Sequence, residues 1–195
     1  MDNRLFIVAI LEGELLKRAL FLQKLFAAKY HLYKGSLPPL HITLDVVDAP
    51  EKFRIEKTRE AVQEASQELN PFNVKTTGFA CFPPPYKSLG LLIKKNEELH
   101  TAVGKIRNYL ARKRISTLNP FGEDWIFHLT LVNKFLADRE WTEKEFFEAC
   151  NIVEDVPLDL AGQVVGIAIW HPIKDVKLMN EGTFFLKKQK SFLNN

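Results

Sequence analysis

Two short segments of this chain repeat one alternating pattern of apolar and polar residues. Residues 40–44 and 127–131 each read apolar, His, apolar, Thr, apolar. A period of two predicts a half-buried strand, with its apolar side chains on one face and its polar side chains on the other. Each strand then presents an imidazole and a hydroxyl about 7 Å apart along the chain. If the strands face each other, the cleft between them holds His41, Thr43, His128 and Thr130.

The composition is that of an ordinary globular protein. The chain has 195 residues, 46% of them hydrophobic and 26% charged, which favours one domain or two closely packed lobes. We therefore expect a single domain over residues 1–195. A net charge of +3 is only a weak bias toward anionic partners and does not indicate nucleic-acid binding. Residues 1–4 lead into a short apolar strand without a signal-peptide pattern, and no apolar run approaches the ~20 residues of a membrane span. We expect a cytoplasmic monomer with no membrane partner.

Cys81 and Cys150 are the two cysteines of the chain. Their spacing matches neither a disulfide framework nor a metal-binding motif. The sequence therefore predicts two reduced, buried thiols.

Hydrophobic periodicity predicts that each half of the chain contains a helix, a His strand and a second helix. This weak duplication favours two lobes related by an approximate twofold axis. The predicted helices cover residues 14–30, about 54–69, 96–112 with Asn96 as N-cap, and a segment that begins with the capping box at 142–145. The other predicted strands cover residues 5–11, 72–76, 88–94, 164–169 and 182–186, with a turn-rich loop at 116–124 and a solvated tail containing Lys187, Lys188 and Lys190. On helix 14–30 the predicted apolar face comprises Leu16, Leu20, Phe21, Leu22, Leu25, Phe26, Ala27 and Tyr30.

Paired imidazoles suit acid–base chemistry at a phosphodiester. In-line displacement needs a base on the entering oxygen and an acid on the leaving oxygen, on opposite sides of phosphorus. Histidine serves either role near neutral pH, and each positioned proton transfer contributes about 10²–10⁴ in rate. The two threonine hydroxyls can donate hydrogen bonds to the non-bridging oxygens. One His-x-Thr strand alone would more simply hold a structural histidine, but two copies in matching register favour a functional pair.

The two His-x-Thr segments resemble those of the two-histidine (2H) phosphoesterase superfamily, which includes the LigT-like 2′-5′ RNA ligases and cyclic phosphodiesterases. The resemblance covers most of the chain: the first strand, both motifs and their spacing, and the Phe82-Pro83 segment before an apolar strand. It implies a bilobal, pseudo-twofold α+β fold, in which two antiparallel sheets face a central groove and the helices pack outside. It also implies that His41 and His128 are catalytic, that Thr43 and Thr130 bind phosphate, and that no metal or cofactor is needed.

The resemblance implies as substrate a nucleotide or RNA end with a phosphodiester, either a 2′,3′-cyclic phosphate, a related cyclic phosphodiester or a 2′-5′ linkage. We expect a phosphodiesterase that opens such a bond. Two alternatives stay open, a nucleotide- or RNA-binding module with little turnover and a 2′-5′ RNA ligase that runs the reverse chemistry. The sequence also leaves open which histidine is the base.

Two residues near the Phe82-Pro83 segment are candidate substrate contacts. Members of the superfamily often carry an Arg there, whereas Lys87 is the nearest cation in this chain. Lys87 would neutralise phosphate without a bidentate fork, or it is a solvated loop residue. Tyr86 would stack on a base, or it covers the core.

Other polar residues have two interpretations each. Asp45 and Lys134 share the strand faces of their histidines if the alternation persists, where they either tune the pocket or end a strand in solvent. His171 either reaches the groove rim or belongs to a turn. Residues 112–114 (Arg-Lys-Arg) either guide an RNA backbone or form a solvated helix end.

Overall fold

The computed structural model describes residues 3–118, 124–154 and 156–187. Residues 119–123 of the predicted loop, and Lys188 and Lys190 of the predicted tail, lie outside these ranges. The strands are β1 (Arg4–Glu12), β2 (Ile42–Asp48), β3 (Phe72–Phe82), β4 (Ser88–Ile93), β5 (His128–Val132), β6 (Ala161–Trp170) and β7 (Asn180–Phe185). The helices are α1 (Glu14–Tyr30), α2 (Lys52–Gln67), α3 (Glu97–Arg112), α4 (Glu143–Val153) and the short α5 (Val176–Met179).

All seven strands belong to one antiparallel sheet with the order β1-β2-β5-β4-β3-β6-β7. Strand β6 pairs with β3 through its first residues and with β1 along most of its length, so it connects the two halves of the sheet. The predicted α+β class is confirmed. The prediction of two separate sheets is not, because β6 bridges β1 and β3 while β2 contacts β5.

Helices α3 and α4 begin where a side chain accepts a hydrogen bond from an unpaired backbone amide. The Asn96 side chain accepts a hydrogen bond from the Leu99 amide at 2.9 Å, as predicted for the N-cap of α3. Helix α4 begins at the predicted capping box, in which the side chains of Thr142 and Glu145 each accept a hydrogen bond from the other's backbone. Within the described ranges, no helix combines the length and the apolarity that crossing a membrane requires.

The predicted apolar face of α1 is partly wrong. Leu20, Phe21 and Leu25 are 37–50% exposed. Apolar residues surround more than half of this helix, and the stripe that packs inward is instead Leu15, Ala19, Gln23, Phe26, Ala27 and Tyr30. This stripe faces β1, β5 and β6, and it carries one polar residue, Gln23, into the interior.

The prediction of two reduced thiols is also wrong. Cys81, near the end of β3, and Cys150 of α4 form a disulfide, with their Cα atoms 6.0 Å apart. The two residues are 69 positions apart in sequence, and only the packing of α4 against the β3–β4 hairpin brings them together. The cysteine content therefore no longer supports the predicted cytoplasmic location.

We expect the disulfide to stabilise the fold by about 4 kcal/mol, because it closes a long loop in the unfolded chain. The double variant Cys81→Ser/Cys150→Ser should lose this amount of unfolding free energy in urea titrations, and reduction of the wild-type protein should have a similar effect. Two freely titrating thiols in the purified, unreduced protein would contradict this pairing.

Candidate active site

The two His strands contact each other at a single residue pair. Strands β2 and β5 are antiparallel, and their only ladder pair within the described ranges joins Ile42 to Leu129, the residues between His and Thr of each motif. Both side chains are fully buried, whereas the four polar side chains of the motifs are half-buried. The alternation predicted from the sequence is therefore present, with the polar side chains on the face opposite to the core.

The antiparallel register sets which polar side chains are neighbours. A pair at Ile42 and Leu129 places His41 beside Thr130 and Thr43 beside His128. A local twofold axis therefore passes through that pair, and each imidazole has a hydroxyl from the other strand beside it. This is the arrangement that puts two acid–base groups on opposite sides of one bound group.

The four motif side chains line one cavity of about 170 Å³. It is smaller than the roughly 300–1,000 Å³ of a typical ligand pocket, so it suits a phosphate and the atoms attached to it. The rest of its wall comprises Phe6, Gln23, Tyr33, Pro38, Pro39, Trp125, Leu131, Asn133 and Leu136.

Each catalytic candidate is oriented by the carbonyl two residues before it. The His41 Nδ1–H donates to the Pro39 carbonyl at 3.0 Å, and the His128 Nδ1–H donates to the Ile126 carbonyl at 2.8 Å. Because a carbonyl only accepts, both Nδ1 atoms must carry a proton. The neutral rings therefore keep the lone pair on Nε2, which leaves that nitrogen to act on a substrate.

Burial disfavours the charged form of both imidazoles. It lowers the pKa of His41 to about 4, against the opposing effect of the Pro39 carbonyl, and the nearby His128 lowers it further. Burial also lowers the pKa of His128, opposed by the Ile126 carbonyl. Each ring packs against an aromatic one, His41 against Trp170 and His128 against Phe82, with centroids 4.8 and 4.6 Å apart. At neutral pH both rings are neutral in the free protein and either can accept a proton.

A second cavity of about 410 Å³ opens beside His128 and Thr130. It has four aromatic walls, Phe82, Tyr86, Trp125 and Phe135, and it shares Trp125, His128, Thr130 and Asn133 with the smaller cavity. The Trp125 indole N–H donates to the Thr43 carbonyl at 3.3 Å, so this ring also connects the two motifs.

The two candidate substrate contacts lie in different places. Tyr86 is 58% exposed and forms part of the aromatic cavity. Lys87 lines neither cavity. Its ammonium group donates to the Trp141 carbonyl at 3.2 Å and forms an ion pair with Glu140, so we leave Lys87 out of the substrate site.

A β-bulge separates Asp45 from the motif face. Thr43 pairs with Val8 but Asp45 pairs with Ile7, so one extra residue interrupts the alternation. The Asp45 side chain is fully buried, and its carboxylate accepts a hydrogen bond from Arg107 Nε at 2.6 Å. Burial raises the pKa of Asp45, and Arg107 opposes this shift. Asp45 therefore joins β2 to α3 and does not line the cavity.

The other polar candidates also bond outside the cavities. Lys134 lies 3.6 Å from Glu140, and His171 Nε2 lies 2.5 Å from a carboxylate oxygen of Glu181. Of residues 112–114, the Arg112 guanidinium covers the Tyr109 ring, and Lys113 forms ion pairs with Glu60 and Glu64.

Sequence reasoning missed Gln23, Trp125 and Phe135 as cavity residues. Trp125 and Phe135 flank the second motif, and their exposure cannot be inferred from alternation. Gln23 could have been identified from the sequence, because it is a polar residue at the i, i+4 spacing of the apolar residues Leu15 and Ala19. In the described part of the chain, no three His, Cys, Asp or Glu side chains lie close enough to hold a metal ion.

Residues 17–174 match the 2′-5′ RNA ligase superfamily, and the chain belongs to that family. This confirms the resemblance to the two-histidine phosphoesterases. The family supports activity of the phosphodiesterase or RNA-ligase type. A search of curated proteins finds no match to the chain.

Solved structures share the fold at low sequence identity. TT0787 of Thermus thermophilus superposes with a TM-score of 0.64 at 19% identity, covering 94% of this chain and 97% of that one. E. coli LigT, in a complex with 3′-AMP, superposes with a TM-score of 0.61 at 12% identity, covering 96% of this chain and 100% of LigT.

We expect His41 to stay neutral in the folded protein until the pH falls to about 4, whereas it protonates near 6.5 in the unfolded chain. Between these values the unfolded chain binds the extra proton. The free energy of unfolding is therefore highest above pH 6.5 and decreases as the pH falls toward 4. NMR titration of the imidazole resonances, assigned with His41→Gln, measures the midpoint. A bound phosphate monoester should raise it, because an anion favours the imidazolium. A midpoint at or above 6.5 in the free protein would rule this expectation out.

Proposed function

We propose that this protein is a phosphodiesterase that opens 2′,3′-cyclic phosphates or related nucleotide and RNA phosphodiesters by paired-histidine acid–base catalysis. The observation that carries the proposal is the convergence of His41, Thr43, His128 and Thr130 on one small cavity. Family membership supports the same reaction class. The fold shared with a LigT structure that holds 3′-AMP is consistent with a nucleotide substrate.

Ring opening of a cyclic phosphate uses one imidazole on each side of phosphorus. Neutral Nε2 of one histidine takes a proton from water as the water oxygen bonds to phosphorus. The other histidine, protonated, gives its proton to the sugar oxygen as the bond from phosphorus to that oxygen breaks. The products are a phosphate monoester and a free vicinal hydroxyl, and the two imidazoles have exchanged protonation states. Ligation would use the same site with the hydroxyl of a second RNA end in place of water: its proton goes to the base, its oxygen bonds to phosphorus, and the sugar oxygen leaves with the proton of the acid.

The negative charge of the phosphate can stabilise a protonated imidazole, which the surroundings of the two half-buried histidines do not. Burial keeps both rings neutral in the free protein, but an acid catalyst has to be protonated. A phosphodiester anion between the rings favours one imidazolium and so offsets part of the desolvation cost. The hydroxyls of Thr43 and Thr130 then donate to the non-bridging oxygens, where charge grows in the transition state.

The aromatic cavity is a suitable place for the nucleoside. Its volume of about 410 Å³ falls in the range of small-molecule pockets, and it opens directly onto His128 and Thr130. Every base has a π-face that can stack on Tyr86, Trp125 or Phe135. Such stacking discriminates weakly among bases, so we propose that base identity contributes little to substrate choice.

The test is a panel of substrates assayed without added metal. The panel holds 2′,3′-cyclic mononucleotides, an ADP-ribose cyclic phosphate, 2′-5′ oligoadenylate and RNA ending in a cyclic phosphate. Turnover of any member supports the phosphodiesterase. Saturable binding of a panel member, with no product formed from any of them, would instead indicate the binding module. Joining of RNA ends would indicate the ligase.

We expect His41→Ala and His128→Ala each to lower kcat/KM by about 10²–10⁴ on the best panel substrate, because each removes one proton transfer. The double variant should lose less than the product of the single losses, since the two residues act as a unit. Thr43→Val and Thr130→Val should lose less per site. The wild-type pH profile of kcat/KM should be bell-shaped and should lose one limb in each histidine variant.

The matched control for these variants is His171→Ala. This change also removes an imidazole, but His171 bonds to Glu181 outside both cavities. It should leave kcat/KM within a factor of about two, as for a surface substitution. Folded His41→Ala and His128→Ala proteins that turn over substrate at the wild-type rate would place the active site elsewhere.

We expect activity to survive excess EDTA, because two imidazoles supply the base and the acid and two hydroxyls offset the growing charge. The measurement is the initial rate on the best panel substrate before and after chelation. Loss of the rate on chelation, with recovery on adding one divalent ion and no other, would show that the paired-histidine mechanism is incomplete.

A further inference from the structure

Gln23 is a buried amide beside the candidate active site that uses only part of its hydrogen-bonding capacity. Its side chain is 1% exposed, and it lines the same small cavity as His41 and Thr43. Its Nε2 donates to the Pro38 carbonyl at 3.0 Å, whereas its Oε1 has no hydrogen-bond partner among the described residues. A buried acceptor without a donor is costly, so such a group calls for an explanation.

The Pro38 carbonyl fixes the orientation of this amide. A carbonyl can only accept a hydrogen bond, so the Nε2 branch of the amide must face Pro38 and the Oε1 branch must point away from it. The next residue, Pro39, provides the carbonyl that orients the His41 ring. Gln23 and His41 are therefore held by consecutive residues of one segment, which keeps the amide in register with the catalytic imidazole.

Oε1 requires a hydrogen-bond donor, and this requirement identifies the chemistry of its ligand. The non-bridging and bridging oxygens of a phosphodiester are acceptors only. The cavity has room for the phosphate and its nearest atoms, whereas the base would occupy the aromatic cavity next to it. The donor closest to phosphorus in a ribonucleotide product is the hydroxyl vicinal to the phosphate, which ring opening releases.

We propose that Gln23 binds the ribose hydroxyl vicinal to the phosphate, with Oε1 as the acceptor, and so makes the site selective for ribonucleotides. The inference rests on the proposed function, because that hydroxyl exists only when the ligand is a ribose 2′- or 3′-phosphate or is converted to one. In ring opening the sugar oxygen leaves phosphorus, takes a proton and becomes this donor. In the reverse direction Gln23 would hold the attacking hydroxyl.

The experiment compares ligands that differ only in that hydroxyl. The probes are 3′-AMP with 2′-deoxy-3′-AMP, and 2′-AMP with 3′-deoxy-2′-AMP, and the readout is the dissociation constant by calorimetry or NMR titration. For the regioisomer that wild type binds more tightly, removal of the hydroxyl should weaken binding about tenfold, the value of one hydrogen bond. In Gln23→Leu the ratio of the two dissociation constants should fall to about one, because the partner of the hydroxyl is gone.

The ratio separates recognition from a merely structural role. Loss of the Pro38 contact could shift His41 and weaken both ligands, but by the same factor, which leaves the ratio unchanged. Gln23→Met, which keeps the length of the side chain, gives the same readout if Gln23→Leu does not fold. Ser66→Ala is the matched control, because Ser66 is also a buried polar residue on a helix but bonds only within α2. It should keep the wild-type ratio.

The failures of this inference and of the proposed function are distinguishable. A wild-type protein that binds none of the four nucleotides would overturn the role of Gln23, whereas the proposed function fails if no member of the substrate panel is turned over. A wild-type protein that binds them with no preference for the hydroxyl, or a Gln23→Leu protein that keeps the wild-type ratio, would overturn only the role of Gln23.

Discussion

The pairing of Ile42 with Leu129 is the contact on which the geometry of the candidate site depends. Both side chains are fully buried, so core packing fixes their positions. Because alternate residues of a strand face opposite ways, two buried residues in register oblige their four polar neighbours to share the other face. The ladder between β2 and β5 has no second pair in the described ranges, so the strands diverge on either side of this contact. The divergence leaves room for a phosphate without interrupting the sheet.

Burial and hydrogen bonding shift the pKa values of the two histidines in opposite directions. Desolvation lowers the pKa of both rings, and the carbonyls of Pro39 and Ile126 recover part of the shift while they fix the tautomer. Both rings therefore rest in the same state, with Nδ1 protonated and Nε2 free. Neither is committed to the role of acid or base before a substrate arrives. In the proposed mechanism, the charge of the phosphate favours protonation of one ring, so substrate binding itself would create the acid–base pair.

The sequence predicted the strand pattern of the candidate site better than its surroundings, for physical reasons. Alternation with a period of two is a local property, so the two motifs and their faces could be recognised without any tertiary information. Helix α1 is apolar around more than one face, and only its docking on the sheet determines that Leu15 and Ala19 point inward while Phe21 is exposed. Asp45 leaves the motif face because of a bulge, which needs a register between two strands. The Cys81–Cys150 disulfide joins residues 69 apart, a contact that no local pattern encodes.

The two motifs are related by a local twofold axis, but the cavity walls around them are not. The exposed rings of Tyr86 and Phe135 flank the side of His128, whereas the side of His41 is lined by the buried amide of Gln23 and the segment at Pro38. An approximately symmetric pair of imidazoles can work on a phosphodiester in either direction. In the proposed function, the unsymmetrical walls would therefore set the direction in which a nucleotide lies across the site, with the base at the aromatic rings near His128. Since these walls come from α1 and from loops outside the motifs, two chains with the same His-x-Thr pair can act on different phosphodiesters.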